Sequence, residues 1–197
     1  DRSAHSRDIV DRAKPGVALI TARIDAEVTL DCGAGPVTVK TAPFIETVTG
    51  WFVDGRGWLL TNGHVVDPAH RMPVWVTHEL KKMAIDKGCV EPALRAQGVM
   101  RGQNPGLEEQ IRRDAGNRAL AGAKVAAKPQ IFVQMPNGVK LPAEVKKFSA
   151  PLLTLASGEP SPDSGRDLAL LRVPEGVYPA LGISTRDPKV GDSVRIL

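Results

Sequence analysis

Aromatic residues are scarce in this sequence: four Phe, one Tyr and three Trp among 197 residues. No stripe of aromatic and basic residues runs through it, which removes support for nucleic-acid binding. Cysteine is scarcer still. Cys32 and Cys89 stand alone, and with no C-x-x-C pair the zinc and haem-attachment readings have no basis. The two can form one disulfide in an oxidising compartment or remain as two buried thiols, and the sequence does not choose between them. No apolar run approaches the ~20 residues that a membrane span needs. There is no secretory apolar region either, and residue 1 is Asp rather than Met. The expectation is a processed or trimmed chain from which any targeting segment has gone. His70 and His78, with Asp67 or Glu79 as partners, lack ligand spacing on a defined helix, so a surface role is expected for them. No metal and no cofactor are expected.

What is present is ordinary for a globular protein, with 42% hydrophobic and 24% charged residues. The length suits one medium domain, or a small domain plus part of another. Nineteen Gly and sixteen Pro suit an all-β fold with many turns. Net charge is +4 and unevenly placed, since residues 79–128 hold ten Lys/Arg against six Asp/Glu and so carry all of it. A solvated helical face is the favoured reading of that bias; a protein or membrane-surface partner is the other.

Along the chain, residues 1–14 are polar and form a short helix that stops before Lys14-Pro15-Gly16. Val17–Ile24 reads as a strand, and Glu27–Cys32 with Pro36–Lys40 as a hairpin. Thr47–Val53 and Gly57–Thr61 read as the next pair. From about His78 to Val125 the pattern turns helical, with two or three short helices. Asn104 is an N-cap there, Pro105 the first helical residue, and Leu107 and Ile111 an apolar pair. Strand character returns at Gln130–Met135, followed by a turn at Pro136-Asn137-Gly138 and a strand over Val139–Phe148. Residues 149–166 read as loop, Asp167–Val173 as a strand, Pro174–Val190 as a connection and Gly191–Leu197 as the start of another strand. Trp51, Trp58 and Trp75 are expected in or near the core.

Two segments carry chemistry. Thr49–Val66, TGWFVDGRGWLLTNGHVV, ends in a Thr-Asn-Gly-His turn. Gly165–Val173, GRDLALLRV, places an aspartate at the start of an apolar strand. With the IFVQMPNG hairpin before the aspartate, this order resembles the first part of a trypsin-like serine protease, nearest to the HtrA/Deg type. The resemblance covers roughly residues 8–24, 48–67 and 130–197. It implies an all-β fold, a six-stranded antiparallel barrel over residues 17–173 with a helical insertion at about 78–128. Residues 1–16 form a helical N-terminal segment, and 174–197 the connection and first strand of a second barrel. It also implies His64 as general base and Asp167 as the carboxylate that orients it. A serine hydroxyl is a weak nucleophile near neutral pH, so a base must take its proton, and an aspartate on the other ring nitrogen fixes the tautomer. The order His then Asp is that of the chymotrypsin-type arrangement. Where this sequence has Gly63 the family more often has Ala, a small-for-small change.

The nucleophile is missing. The family sets its serine in a G-x-S-G-G-like loop that builds an oxyanion hole. Ser164, in Asp163-Ser164-Gly165, lies three residues before Asp167 and cannot reach across an opposite barrel. Ser193 continues into Val194-Arg195-Ile196-Leu197, a strand, and Ser157 and Ser184 have no glycine-rich neighbours. The favoured reading is therefore the amino-terminal half of a secreted or periplasmic endopeptidase acting on polypeptides, a membrane anchor being left to a segment outside this chain. Residues 1–197 alone are expected to be inactive. The alternatives are an inactive protease-like scaffold acting through its helical insertion, and an accidental match in a non-catalytic barrel. Oligomeric state and a following peptide-binding domain stay open.

Overall fold

The computed structural model describes residues 2–151, 153, 161, 164–187 and 189, with side chains from residue 8 onward except at 117 and 118. The strand expected over Gly191–Leu197, together with Ser157, Asp163 and Ser193, lies outside them. The chain divides into two compact units: residues 1–22, 46–70 and 130–197 form the first, and residues 23–45 and 71–129 the second.

The first unit opens with helix α1 (Arg2–Ala13), closed by a 3₁₀ turn at Lys14–Gly16. The strands are β1 (Val17–Asp31), β2 (Pro36–Lys40), β3 (Phe44–Phe52), β4 (Trp58–Thr61), β5 (Lys124–Gln134), β6 (Lys140–Pro142), β7 (Glu144–Ser149) and β8 (Leu168–Arg172). They hydrogen-bond in the order β6-β5-β1-β3-β4-β8-β7, and β2 pairs with β1 outside that path. The two ends of the path, β6 and β7, are separated in the chain by Ala143 alone, whose N–H reaches Ile131 O at 2.9 Å. The antiparallel sheet thus curls round on itself. With Lys140–Ser149 counted as one bent strand, six strands circle the first unit. The single strand expected over Val139–Phe148 is broken at Ala143 because its first part serves β5 and its second part β8. Inward-facing Ile20, Phe52, Leu59, Val133 and Leu171 are fully buried.

Strand β1 joins what read as two strands. Its burial alternates without a break over fifteen residues, so one face stays apolar from Ala18 to Leu30. The residues between the two expected strands, Asp25 and Ala26, keep that phase. Asp25 holds the Arg23 guanidinium at 2.8 Å on the other face.

The second unit holds α3 (Val74–Ile85), a π-helical turn at Asp86–Val90, α4 (Glu91–Ala96) and α5 (Pro105–Gly122). Helix starts four residues before His78, because Pro73 precedes it and Val76 is fully buried. Asn104 caps α5, its side chain accepting from Leu107 N at 3.1 Å, with Pro105 next. Leu107 and Ile111 pack against a core of Val28, Leu30, Ile85, Val90 and Leu94. Trp51 and Trp58 are half-buried in the first unit, but Trp75 is half-exposed at the start of α3, edge-on to Phe44 at 5.7 Å. Much of the basic excess is paired locally. Asp86 takes both Arg101 and Arg112, Arg101 also reaches Glu91, and Arg112 reaches Glu109.

Cys32 and Cys89 are bonded, with Cα atoms 5.5 Å apart, which ties the end of the β1–β2 hairpin to the π-helical turn. The bond closes a loop of 57 positions. Restricting so long a loop in the unfolded chain is worth about 4 kcal/mol in the chain-entropy model. Replacing both cysteines with serine is therefore expected to lower unfolding stability by about 2–4 kcal/mol. Urea denaturation of the variant and the oxidised parent measures this; equal midpoints would show that the bond adds nothing.

Candidate active site

The strand register brings the two chemical segments together. β4 and β8 are antiparallel, with Leu60 opposite Leu170 and Thr61 opposite Ala169. Continuing that register past the end of β4 carries Asn62 and Gly63 toward Leu168 and Asp167. Residues 103 positions apart in the chain thus become neighbours.

From Gly63 the chain enters helix α2 (Gly63–His70). Where a Thr-Asn-Gly-His turn is expected the chain starts a helix, although Val65-Val66 favours strand and Pro68 cannot donate to a helix. Burial overrides both preferences: Val65, Val66, Asp67, Pro68 and Ala69 are all buried. The first N–H groups of a helix have no acceptor within it. Asp167 supplies one, its Oδ1 accepting from His64 N at 2.7 Å. Its Oδ2 lies 2.7 Å from His64 Nδ1 and 3.3 Å from Asn62 Nδ2.

Asp167 is itself held from behind. Its N–H donates to Ala150 O at 2.9 Å, Arg166 N–H to Ser149 Oγ at 2.7 Å, and Gly165 N–H to Pro151 O at 3.2 Å. The backbone at Asp167 is left-handed, φ 53°. Asp tolerates that region better than most residues, and such conformations cluster at functional sites. A Cβ at Gly165 would stand 2.1 Å from Ala150 O, so this brace admits no side chain there.

The electrostatics follow from these contacts. Desolvation pushes the Asp167 carboxyl upward. The His64 ring, the His64 main-chain N–H, the charge of His64 and the Asn62 amide together outweigh it and hold Asp167 below its ordinary value. An ionised carboxylate only accepts, so Nδ1 carries the proton in this pair and Nε2 is the basic nitrogen of the neutral ring. The His64 side chain is 56% exposed and that of Asp167 19%. The acid is thus sheltered while its partner faces outward.

Residues 48–197 match the family model described as a trypsin-like peptidase domain. The chain belongs to this family. No curated protein matches it. Within this trypsin-like peptidase domain two of the serines singled out in the sequence, Ser164 and Ser184, are engaged elsewhere. Ser164 Oγ accepts from Leu153 N at 3.1 Å, and Ser184 Oγ bonds Arg186 in an exposed turn. His70 packs its ring against Phe148 at 5.1 Å, and His78 is exposed on α3. Among the described residues no cluster of three or more His, Cys, Asp or Glu is placed to hold a metal. Two grooves of about 550 and 570 Å³ share Lys14, Met135 and Pro136, but neither is lined by His64 or Asp167.

Gly63 is tighter than the sequence suggested. A Cβ there would lie 2.5 Å from Ser149 O and 3.3 Å from Asp167 Oδ1, so Ala is not a neutral exchange at this position. Helix propensity favours Ala by about 1 kcal/mol, whereas overpacking costs roughly 1–3 kcal/mol. The obstacle is main chain and cannot rotate away, so the steric term wins. Gly63→Ala is expected to lower stability by about 1–2 kcal/mol in thermal or urea unfolding; a stabilised variant would show that the Ser149 segment yields.

Asp167 also makes stability depend on pH. A carboxylate with a depressed folded-state pKa stabilises fully above its unfolded value of about 3.9, and the gain disappears as pH falls through the folded value. Asp167→Asn removes the titrating group. The urea midpoint of the parent should exceed that of the variant at pH 6, with the gap shrinking as pH falls below about 4. A gap that stays constant down to pH 2 would contradict the depression.

Proposed function

We propose that this chain supplies the base and its orienting acid to a serine endopeptidase of the HtrA type, acting on polypeptide substrates. One observation carries the reading: Asp167 spans both the ring Nδ1 and the main-chain N–H of His64, at 2.7 Å each. Two-point holding of one residue fixes the imidazole's tautomer and direction, which is what an orienting carboxylate must do. Nε2 is then the nitrogen that takes the nucleophile's proton and returns it to the leaving amine, through an acyl-enzyme.

No serine of the 197 residues stands in a G-x-S-G-G-like setting. The reading therefore takes the nucleophile and oxyanion donors from sequence following Leu197, in a second barrel. The Cys32–Cys89 bond supports a periplasmic or secreted location, where disulfides persist. No helix among the described residues is long and apolar enough to cross a membrane.

The test is hydrolysis of casein and of a peptide ester by the full-length protein. Activity that drops by at least ~10⁴-fold in His64→Ala supports the reading. A purified chain of residues 1–197 is expected to turn over neither substrate. An inactive full-length protein whose coding sequence lacks a serine loop would leave the inactive scaffold, acting through the helices of residues 74–122, as the function instead.

A further inference from the structure

His64 grips Asp167 twice, but both donors belong to the same residue, and the final torsion of an Asp side chain is broad rather than sharply staggered. Oδ1 is fixed by the main chain of His64, but Oδ2 has only the rotatable ring as a partner within that residue. The third donor comes from elsewhere. Asn62 Nδ2 reaches Asp167 Oδ2 at 3.3 Å, across 105 positions of sequence.

Asn62 stands immediately before α2, where an Asn ordinarily turns its side-chain oxygen onto the free N–H groups of its own helix. Here Asp167 Oδ1 takes the N–H of His64, and the Asn62 amide turns outward to the same carboxylate. The two residues have exchanged tasks: the acid caps the helix, and the capping residue steadies the acid. Resting on the reading of His64 and Asp167 as base and orienting acid, we propose that Asn62 is a positioning residue. It holds Asp167 Oδ2 in line with His64 Nδ1, so that the imidazole keeps one tautomer and one direction. Asn62 is exposed, so shortening its side chain removes this contact and opens no core cavity.

The experiment compares Asn62→Ala and Asn62→Gln with the parent in the full-length protein. Peptide-ester hydrolysis and ¹³C titration of the Asp carboxyls are both measured. For Asn62→Ala, kcat is expected to fall about tenfold with KM within about twofold, as for a group that acts on transition-state alignment alone. The Asp167 carboxyl should titrate at higher pH, because a donor to its ionised form is gone. Asn62→Gln keeps an amide donor and should recover most of kcat. A lowered melting temperature with kcat unchanged would assign Asn62 a structural role and overturn the proposal, as would an unmoved Asp167 titration. If the parent hydrolyses nothing, the reading of the pair as base and acid fails. The titration then decides whether Asn62 holds the carboxylate: an upward shift supports it, and no shift refutes it.

Discussion

The contact between the Asp167 carboxylate and the first turn of α2 is the constraint on which the site depends. A helix start presents N–H groups without intrahelical acceptors and the positive end of the helix dipole. A carboxylate placed there is stabilised as an anion, and in return it fixes where the helix begins. In this domain the helix start also carries His64, so a single anion satisfies the backbone and orients the side chain. The antiparallel register of β4 and β8 delivers the two partners to each other, and the brace from Ser149–Pro151 sets the height of Asp167. Gly63 and Gly165 are glycine because those approaches leave no room for a Cβ.

The second unit is stabilised on different terms. Helices α3 and α4 have 12 and 6 residues, and the 18-residue α5 ends in an Ala- and Gly-rich stretch. In a folded protein such helices draw most of their stability from packing rather than from propensity. The apolar face of the β1–β2 hairpin supplies that packing through Val28, Leu30 and Val39, and the Cys32–Cys89 bond fastens the two together. The ion pairs around Asp86 are partly exposed and add little to stability. They neutralise locally part of the basic excess of residues 79–128.

Much of this was legible in the sequence, for reasons that can be named. Strand pairs flanking Gly-rich turns, the cap at Asn104 and the aspartate opening an apolar strand are all local signals, and local signals survive without coordinates. His64 and Asp167 could be singled out because each sits in a recognisable string. What escaped depends on register and packing. Helix α2 hides behind Val65-Val66 and Pro68, since its stability comes from burial that no window of sequence shows. The corner at Ala143 appears only when one strand must serve two neighbours. Asn62 and Gly63 stand in the motif that singles out His64, but their own contacts do not show in the string. Their roles emerge from where Asp167 and Ser149 stand, 105 and 86 residues further on.

The geometry also bears on how such a site is assembled. Both members of the pair, and every hydrogen bond that holds them, come from residues of the first unit. In a serine peptidase built on this unit, the tautomer and direction of the imidazole would therefore be set before the nucleophile arrives. A base oriented in advance spares the reacting complex the ordering cost of aligning it, and well-aligned groups contribute several kcal/mol to rate in this way. In a serine peptidase built on this unit, the part that completes the site has a narrower task. It must place one hydroxyl within reach of Nε2 and aim donors at the charge that develops on the carbonyl oxygen. The His–Asp half would then rest on the β4–β8 register, the Ser149–Pro151 brace and the Asn62 amide, all of them within the first unit.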